Sequence, residues 1–147
     1  MYYRLTASAG LLLLSMSSWG QEPSRFIAKL SLPNGLMVMV AEGAFEASMM
    51  GSYSVRLYEN GSTSHAHAEF LNGIVAPRDA PIASVLASQV CGDQQPDIIV
   101  HLSATDTKPH ASAQAFEIVD NKLHLCKNVT GLISTQNPLT ALLQKNQ

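Results

Sequence analysis

The sequence predicts an all-β fold, an antiparallel β-sandwich or barrel-like domain with a short C-terminal helix. Apolar and polar residues alternate in short segments along most of the chain, as they do in half-buried strands. Turn-forming pairs such as Asn-Gly separate these segments, and the clearest helix-start signal lies near the end of the chain. About seven short strands at this spacing are typical of a sandwich or a barrel.

The composition fits one exported domain. The chain has 147 residues, a formal net charge of −2, 14% charged residues and 46% hydrophobic residues. This hydrophobic fraction argues against a disordered chain. Nucleic acid is excluded as a partner, because phosphate contacts need clustered Lys and Arg.

The first 20 residues have the pattern of a secretory signal peptide. Arg4 supplies the positive start, Ala9–Leu14 the apolar centre and Ser17–Gly20 the small residues before cleavage. A buried N-terminal helix is the alternative. We expect residues 21–147 to form a single mature domain. The apolar run is too short to span a bilayer, which needs roughly 20 residues, and no later stretch reaches that length, so no membrane span is expected.

Export also bears on the charge and on the two cysteines. Loss of Arg4 lowers the 9 basic residues to 8 against 11 acidic ones, which makes the mature charge −3. In an oxidising compartment we expect Cys91 and Cys126 to form a disulfide. The alternative is a pair of buried free thiols.

The first half of the mature chain predicts four strands. Phe26–Leu32 and Leu36–Val40 flank the Pro33-Asn34-Gly35 turn and form a hairpin. Ser52–Tyr58 alternates most regularly, with Tyr53, Val55 and Leu57 facing inward. A fourth strand is predicted over His65–Phe70.

Turn-forming residues follow that fourth strand. We expect Asn72-Gly73 to interrupt the chain, and Pro77 and Pro81 to lie in irregular backbone. The next segment, Ala83–Val90, is compatible with a strand or a helix.

The second half predicts a central strand, a hairpin and the helix. Ile98–Leu102 is rich in β-branched residues and fits the middle of a sheet. Ala111–Val119 and Leu123–Asn128 flank a turn and form the hairpin. Asn137 as a cap and Pro138 at the first helical position favour a short helix through Lys145.

Residues with catalytic or metal-binding chemistry are few. His65, His67 and Glu69 alternate along one predicted strand and could bind Zn²⁺ or Cu²⁺, which makes a periplasmic metal-binding protein the alternative function. The competing interpretation is a polar, solvent-facing side of that strand. The sequence has neither a Gly-x-Ser-x-Gly elbow nor a His-Glu-x-x-His motif. We therefore expect no enzyme, no cofactor and no bound metal.

Several segments carry a resemblance to a known family. They are, in chain order, Leu32–Leu36, Val40–Glu46, Gly51–Tyr58, Ser112–Phe116 and Leu123–Cys126. In this order they resemble the periplasmic inhibitors of invertebrate-type (I-type) lysozyme. The resemblance runs from about Leu32 to Val129 and is most specific at Gly51–Tyr58 and Ser112–Phe116.

The resemblance implies a periplasmic, all-β protein that protects peptidoglycan by plugging the active-site cleft of an I-type lysozyme. The family's plug is a loop with a Ser-Gly-x-Tyr-like motif, which corresponds here to Ala104–His110. Thr107 stands at the Ser position, Lys108 replaces the Gly and His110 stands at the Tyr position. These three residues form the expected lysozyme-binding loop. The oligomeric state is left open, and a homodimer is compatible with the sequence.

Overall fold

Eight strands and one helix make up the fold of the computed structural model. It describes residues 25–59, 68–92, 94–104, 110–133 and 135–144, so the predicted signal peptide lies outside the described residues. The elements are β1 (Ile27–Ser31), β2 (Leu36–Glu42), β3 (Gly51–Glu59), β4 (Glu69–Arg78), β5 (Ile82–Ser88), β6 (Asp97–Ala104), β7 (His110–Val119), β8 (Lys122–Leu132) and α1 (Pro138–Gln144).

The strands form two four-stranded antiparallel sheets that face each other. Sheet A has the order β1-β2-β3-β4, and sheet B has the order β5-β6-β7-β8. Each strand pairs with the next one along the chain, except where β4 crosses to β5 and begins the second sheet. The predicted all-β fold is therefore confirmed, in its sandwich form. Within the described residues, no helix is long and apolar enough to cross a membrane.

The core lies between the sheets and follows the predicted alternation. Tyr53, Val55 and Leu57 of β3 are completely buried, as the sequence predicted, whereas Arg56 between them is exposed. They pack in one cluster whose sheet B members are Ile82, Ile98, Val100, Leu102, Phe116 and Leu123. Because successive side chains of a strand point to opposite faces, every second residue enters this core.

The C-terminal helix covers the outer face of sheet B. Asn137 caps it, since its Oδ1 accepts hydrogen bonds from the backbone N–H of Leu139 and Thr140 at 2.9 and 3.3 Å. Leu142 packs in a second buried cluster with Ile99 and with the sheet's small residues Ala111, Ala113 and Ala115. Both faces of β6 are therefore buried, which explains why its sequence is apolar without alternation.

The predicted fourth strand, His65–Phe70, overlaps β4 at Glu69 and Phe70, and its first residues, 65–67, lie outside the described residues. The predicted interruption at Asn72-Gly73 and irregular backbone at Pro77 were wrong. β4 runs through Asn72, Gly73 and Pro77 instead of stopping before them. Gly73 is tolerated because the Phe70 ring fills the space beside it, within 3.3 Å of where a Cβ would lie. Pro77 is tolerated because β4 is the edge strand of sheet A.

The other predicted elements are confirmed or resolved. The ambiguous Ala83–Val90 segment contains a strand, β5. The β7–β8 hairpin turns at Asp120 and Asn121, whose φ angles of 50° and 58° are those of a tight type I′ turn. The predicted helix is present as α1.

Candidate functional site: the loop end of the sandwich

The predicted lysozyme-binding loop connects the two middle strands of sheet B. Ala104 of β6 pairs with His110 of β7, and residues 105–109, which connect the two strands, lie outside the described residues. Thr107 and Lys108 lie outside the described residues, and of His110 the structure describes the backbone, as the first residue of β7. The loop is thus held at both ends by strands in the interior of a sheet.

The β2–β3 loop, residues 43–50, lies at the same end of the sandwich. Gly51, directly after it, pairs with Arg78 at the end of β4. The chain then crosses to Ile82, which pairs with Leu102 close to the start of the 105–109 loop. The Glu42 carboxylate fixes this crossing, because its Oε1 accepts a hydrogen bond from the Ile82 N–H at 2.8 Å.

Arg78, at the end of β4, binds the backbone of the β2–β3 loop. This side chain is only 3% exposed, yet its guanidinium finds three backbone partners. It donates to the carbonyl oxygens of Ser52, Ser48 and Ala47 at 3.1, 2.6 and 2.8 Å. A buried arginine is stable only when its donors are satisfied, so the loop's carbonyls and the cation stabilise each other.

Glu46, inside the β2–β3 loop, binds Ser52 at the start of β3. Its carboxylate accepts hydrogen bonds from the backbone N–H of Ser52 at 2.5 Å and from the Ser52 hydroxyl at 2.8 Å. These bonds lower the pKa of Glu46 below its ordinary value, and the positive charges of Arg78 and Arg25 lower it further. Arg25 also donates to the Glu46 carbonyl oxygen at 2.6 Å. The β2–β3 loop is therefore built around two polar anchors, Glu46 and Arg78.

The same loop exposes two large apolar side chains. Phe45 is 85% exposed and Met50 is 71% exposed. Phe45 also has a φ of 63°, in the left-handed region that a non-glycine residue adopts at a cost of about 1–2 kcal/mol. The neighbouring anchors hold this conformation, which presents a phenyl ring to solvent.

A cavity of about 310 Å³ lies between the β2–β3 loop and the first residues of β7. Met50 and Arg78 line one side of it, and Ser112 and Gln114 of β7 line the other. Ser112 is only three residues beyond the 105–109 segment. The β2–β3 loop and the base of the predicted lysozyme-binding loop are therefore adjacent.

A buried hydrogen bond joins the two sheets beneath this cavity. The Tyr53 hydroxyl of sheet A donates to Gln114 Oε1 of sheet B. Burial raises the pKa of Tyr53 well above its ordinary value, so the hydroxyl keeps its proton. The Tyr53 ring also meets Phe116 edge to face, with centroids 6.3 Å apart.

The predicted disulfide is confirmed. Cys91 and Cys126 are bonded, with their Cα atoms 6.0 Å apart. Asp97, buried beside them, accepts hydrogen bonds from the N–H groups of Val90 and Cys91 at 2.7 and 2.8 Å. Cys91, Asp97 and Cys126 are the one group of side chains in the described residues whose spacing could suit a metal ion. The two sulfur atoms are bonded to each other, so they are not thiolate ligands.

The alternative metal site falls mainly outside what the structure describes. His65 and His67 lie outside the described residues, and Glu69 is an exposed residue at the start of β4. Sequence reasoning missed the anchoring of the β2–β3 loop by Arg78. A strand-end arginine between Pro77 and Pro81, in a chain with few cations, was the available signal.

Taken together, the described residues define a disulfide-bonded β-sandwich of two sheets, in which the β2–β3, β4–β5 and β6–β7 connections share one end. A family model, described as the periplasmic lysozyme inhibitor of I-type lysozyme, matches residues 24–146. The chain therefore belongs to the family of periplasmic inhibitors of I-type lysozyme, and the resemblance stated from the sequence is confirmed. The family's periplasmic location agrees with the expected export.

Solved structures agree with this assignment. The periplasmic inhibitor of I-type lysozyme from Aeromonas hydrophila, PliI-Ah, is 34% identical with a TM-score of 0.72, over 80% of this chain and 98% of that one. The same inhibitor solved in complex with Meretrix lusoria lysozyme is 34% identical with a TM-score of 0.71, over 80% of this chain and 94% of that one. No curated protein sequence matches this chain significantly.

Proposed function

We propose that this protein inhibits an I-type lysozyme by inserting the Ala104–His110 loop into the enzyme's active-site cleft. The observation that carries the proposal is the family match over residues 24–146, together with a relative solved in complex with a lysozyme. The position of the loop supports it. Ala104 and His110, on either side of residues 105–109, are paired on the two interior strands of sheet B, so both ends of the segment are fixed before binding, which lowers the entropy that binding costs.

The residues of the loop suit a cleft that contains carboxylates. Glycoside hydrolases of this kind work with a pair of Asp or Glu side chains. Thr107 offers a hydroxyl donor, Lys108 a cation and His110 an imidazole, all of which hydrogen-bond favourably to carboxylates. Pro109 restricts the backbone between them and so reduces the entropy that binding would cost. In this role the chain blocks a reaction and catalyses none of its own.

A cell-wall lysis assay tests the proposal. Purified mature protein is added in increasing amounts to Meretrix lusoria lysozyme acting on a bacterial cell suspension. We expect lysis to slow in proportion to the inhibitor added. At ordinary affinities, an excess of about tenfold of the protein over the lysozyme is enough to show inhibition. Lysis at the uninhibited rate under such an excess would contradict the proposal.

A triple variant then locates the site. Thr107→Ala, Lys108→Ala and His110→Ala together should raise the inhibition constant at least about 100-fold, because central interface residues dominate binding energy. The matched control is Lys122→Ala with His124→Ala. Both control residues are exposed at the opposite end of the sandwich, next to the β7–β8 turn. An unchanged inhibition constant in the triple variant would place the site elsewhere on the molecule.

A further inference from the structure

The β2–β3 loop has the features of a second binding element. It combines an apolar tip with a polar base that the fold holds rigid. Phe45 and Met50 are among the most exposed large apolar residues of the described chain, at 85% and 71%. The core does not use these side chains, and Phe45 is held in a left-handed backbone conformation. Strain that the fold maintains in this way is characteristic of binding loops.

We propose that Phe45 and Met50 form a second contact with the same lysozyme, on an apolar surface beside its active-site cleft. The proposal rests on the proposed function, because its partner is the same lysozyme that would bind the 105–109 loop. Continuity supports it, because Met50 lines the same cavity as Ser112 and Gln114 at the base of that loop. A partner that engages one loop therefore meets the other at the same end of the sandwich.

The chemistry of the tip fits an anchor role. A phenylalanine ring buries a large apolar area at a low entropic cost, and a methionine adapts to an irregular surface. The charged groups in and next to this loop already have partners. Glu46 is hydrogen-bonded to Ser52, and Arg78 of β4 is hydrogen-bonded to backbone carbonyls. The surface offered to the partner is thus apolar, whereas the 105–109 loop offers donors and a cation. Such a combination of polar insertion and apolar anchor is typical of tight interfaces.

Two variants test the second contact against a matched control. Phe45→Asn removes the ring but suits the left-handed backbone, and Met50→Ala removes the other side chain. The control is Val75→Ala, a residue also 71% exposed but located on the outer face of sheet A. Association and dissociation rates with Meretrix lusoria lysozyme are measured by surface plasmon resonance, and thermal unfolding is followed in parallel.

We expect Phe45→Asn with Met50→Ala to weaken binding by about tenfold or more, mainly through faster dissociation. Val75→Ala should bind like the wild type. The melting temperature of the Phe45→Asn variant should be equal or higher, since a strained residue that serves only binding contributes nothing to folding. Wild-type affinity in the double variant would overturn the second contact and leave the proposed function intact. A wild-type protein that does not bind lysozyme would overturn both.

Discussion

The Tyr53 hydroxyl and the Gln114 side chain form a hydrogen bond that crosses from one sheet to the other inside the core. Both residues are buried, and they come from positions 61 apart in the chain. Tyr53→Phe removes the hydroxyl and leaves the Gln114 oxygen without this partner. We expect a loss of about 1–3 kcal/mol in the free energy of unfolding, measured by urea denaturation.

Tyr58→Phe is the matched control for this variant. Tyr58 lies on the same strand but on the outer face, where its ring contacts Phe70 at a centroid distance of 5.8 Å. Because Tyr58 is only partly buried, the free energy of unfolding should change by less than about 0.5 kcal/mol. Equal losses in the two variants would show that the inter-sheet hydrogen bond has no special weight.

The disulfide should stabilise the fold measurably. The Cys91–Cys126 bridge closes 35 positions of chain, so the Cys91→Ser and Cys126→Ser double variant should lose about 2–4 kcal/mol of unfolding free energy. The measurement is the urea midpoint with and without a dithiol reductant. The reductant should lower the midpoint of the wild type and leave that of the double variant unchanged. A wild-type urea midpoint that does not change when the disulfide is fully reduced would contradict the expectation.

The helix cap should affect stability through the face that α1 covers. Asn137→Ala removes the acceptor for the N–H groups of Leu139 and Thr140 and should cost about 1 kcal/mol. Leu142→Ala removes a fully buried side chain and should cost about 2–5 kcal/mol. Leu143→Ala, half-exposed on the same helix, is the control and should cost much less. Thermal unfolding of the three variants gives the order directly.

The β2–β3 loop should loosen in acid. Because the folded state lowers the pKa of Glu46, its hydrogen bonds to Ser52 stabilise the loop above the ordinary Glu range and weaken as the pH falls through the lowered pKa. The only tryptophan, Trp19, lies in the predicted signal peptide, so F45W gives the mature chain a single fluorescent reporter. The fluorescence anisotropy of this tryptophan should stay constant from neutral pH down to about pH 5, which is near the upper end of glutamate titration. At lower pH the anisotropy should decrease.

A second substitution assigns that transition. Combining F45W with Glu46→Gln should give a low anisotropy at every pH, because an amide replaces the charged acceptor. F45W with Glu59→Gln, an exposed carboxyl at the end of β3, should behave like F45W alone. An unchanged acid transition after Glu46→Gln would mean that another group controls the loop.

Lysozyme inhibition should strengthen as the pH falls toward 6. A histidine that faces a carboxylate binds best when it is protonated, and the ordinary pKa of histidine is about 6.5. If His110 makes this contact, the inhibition constant should decrease between pH 7.5 and 5.5, a range that covers histidine titration. His110→Gln should remove this dependence, while His124→Gln should keep it. An inhibition constant that does not vary with pH in the wild type would count against the contact.

Local sequence patterns were sufficient for most of the fold. Strict alternation located β3, with Tyr53 and Leu57 inward, and the Asn137-Pro138 pair located the start of α1. The errors came where tertiary contacts override a local signal. Gly73 looks like a chain interruption, and only the ring of Phe70, packed beside it, makes it a strand residue.

The candidate site was predictable only in part. The family resemblance pointed to the 105–109 loop, and the structure shows that the residues on either side of it, Ala104 and His110, pair with each other. The sequence signals an unusual arginine at position 78, but its partners could not be predicted, because they are backbone carbonyls about 30 positions earlier in the chain. Backbone acceptors leave no trace in residue identity, so such contacts emerge only from the fold.

The arrangement of β6 and β7 has an evolutionary consequence. In the described part of this hairpin, the buried side chains are those of Asp97–Val100, Leu102 and Ala111–Phe116, all of which belong to the strands. Exchange of one of these strand residues costs the folded state much, whereas connecting segments between strands generally tolerate exchange. Recognition can drift toward a new target enzyme while the scaffold stays constant. The departure of Thr107, Lys108 and His110 from the motif that the resemblance implies is an exchange of the kind that connecting segments generally tolerate.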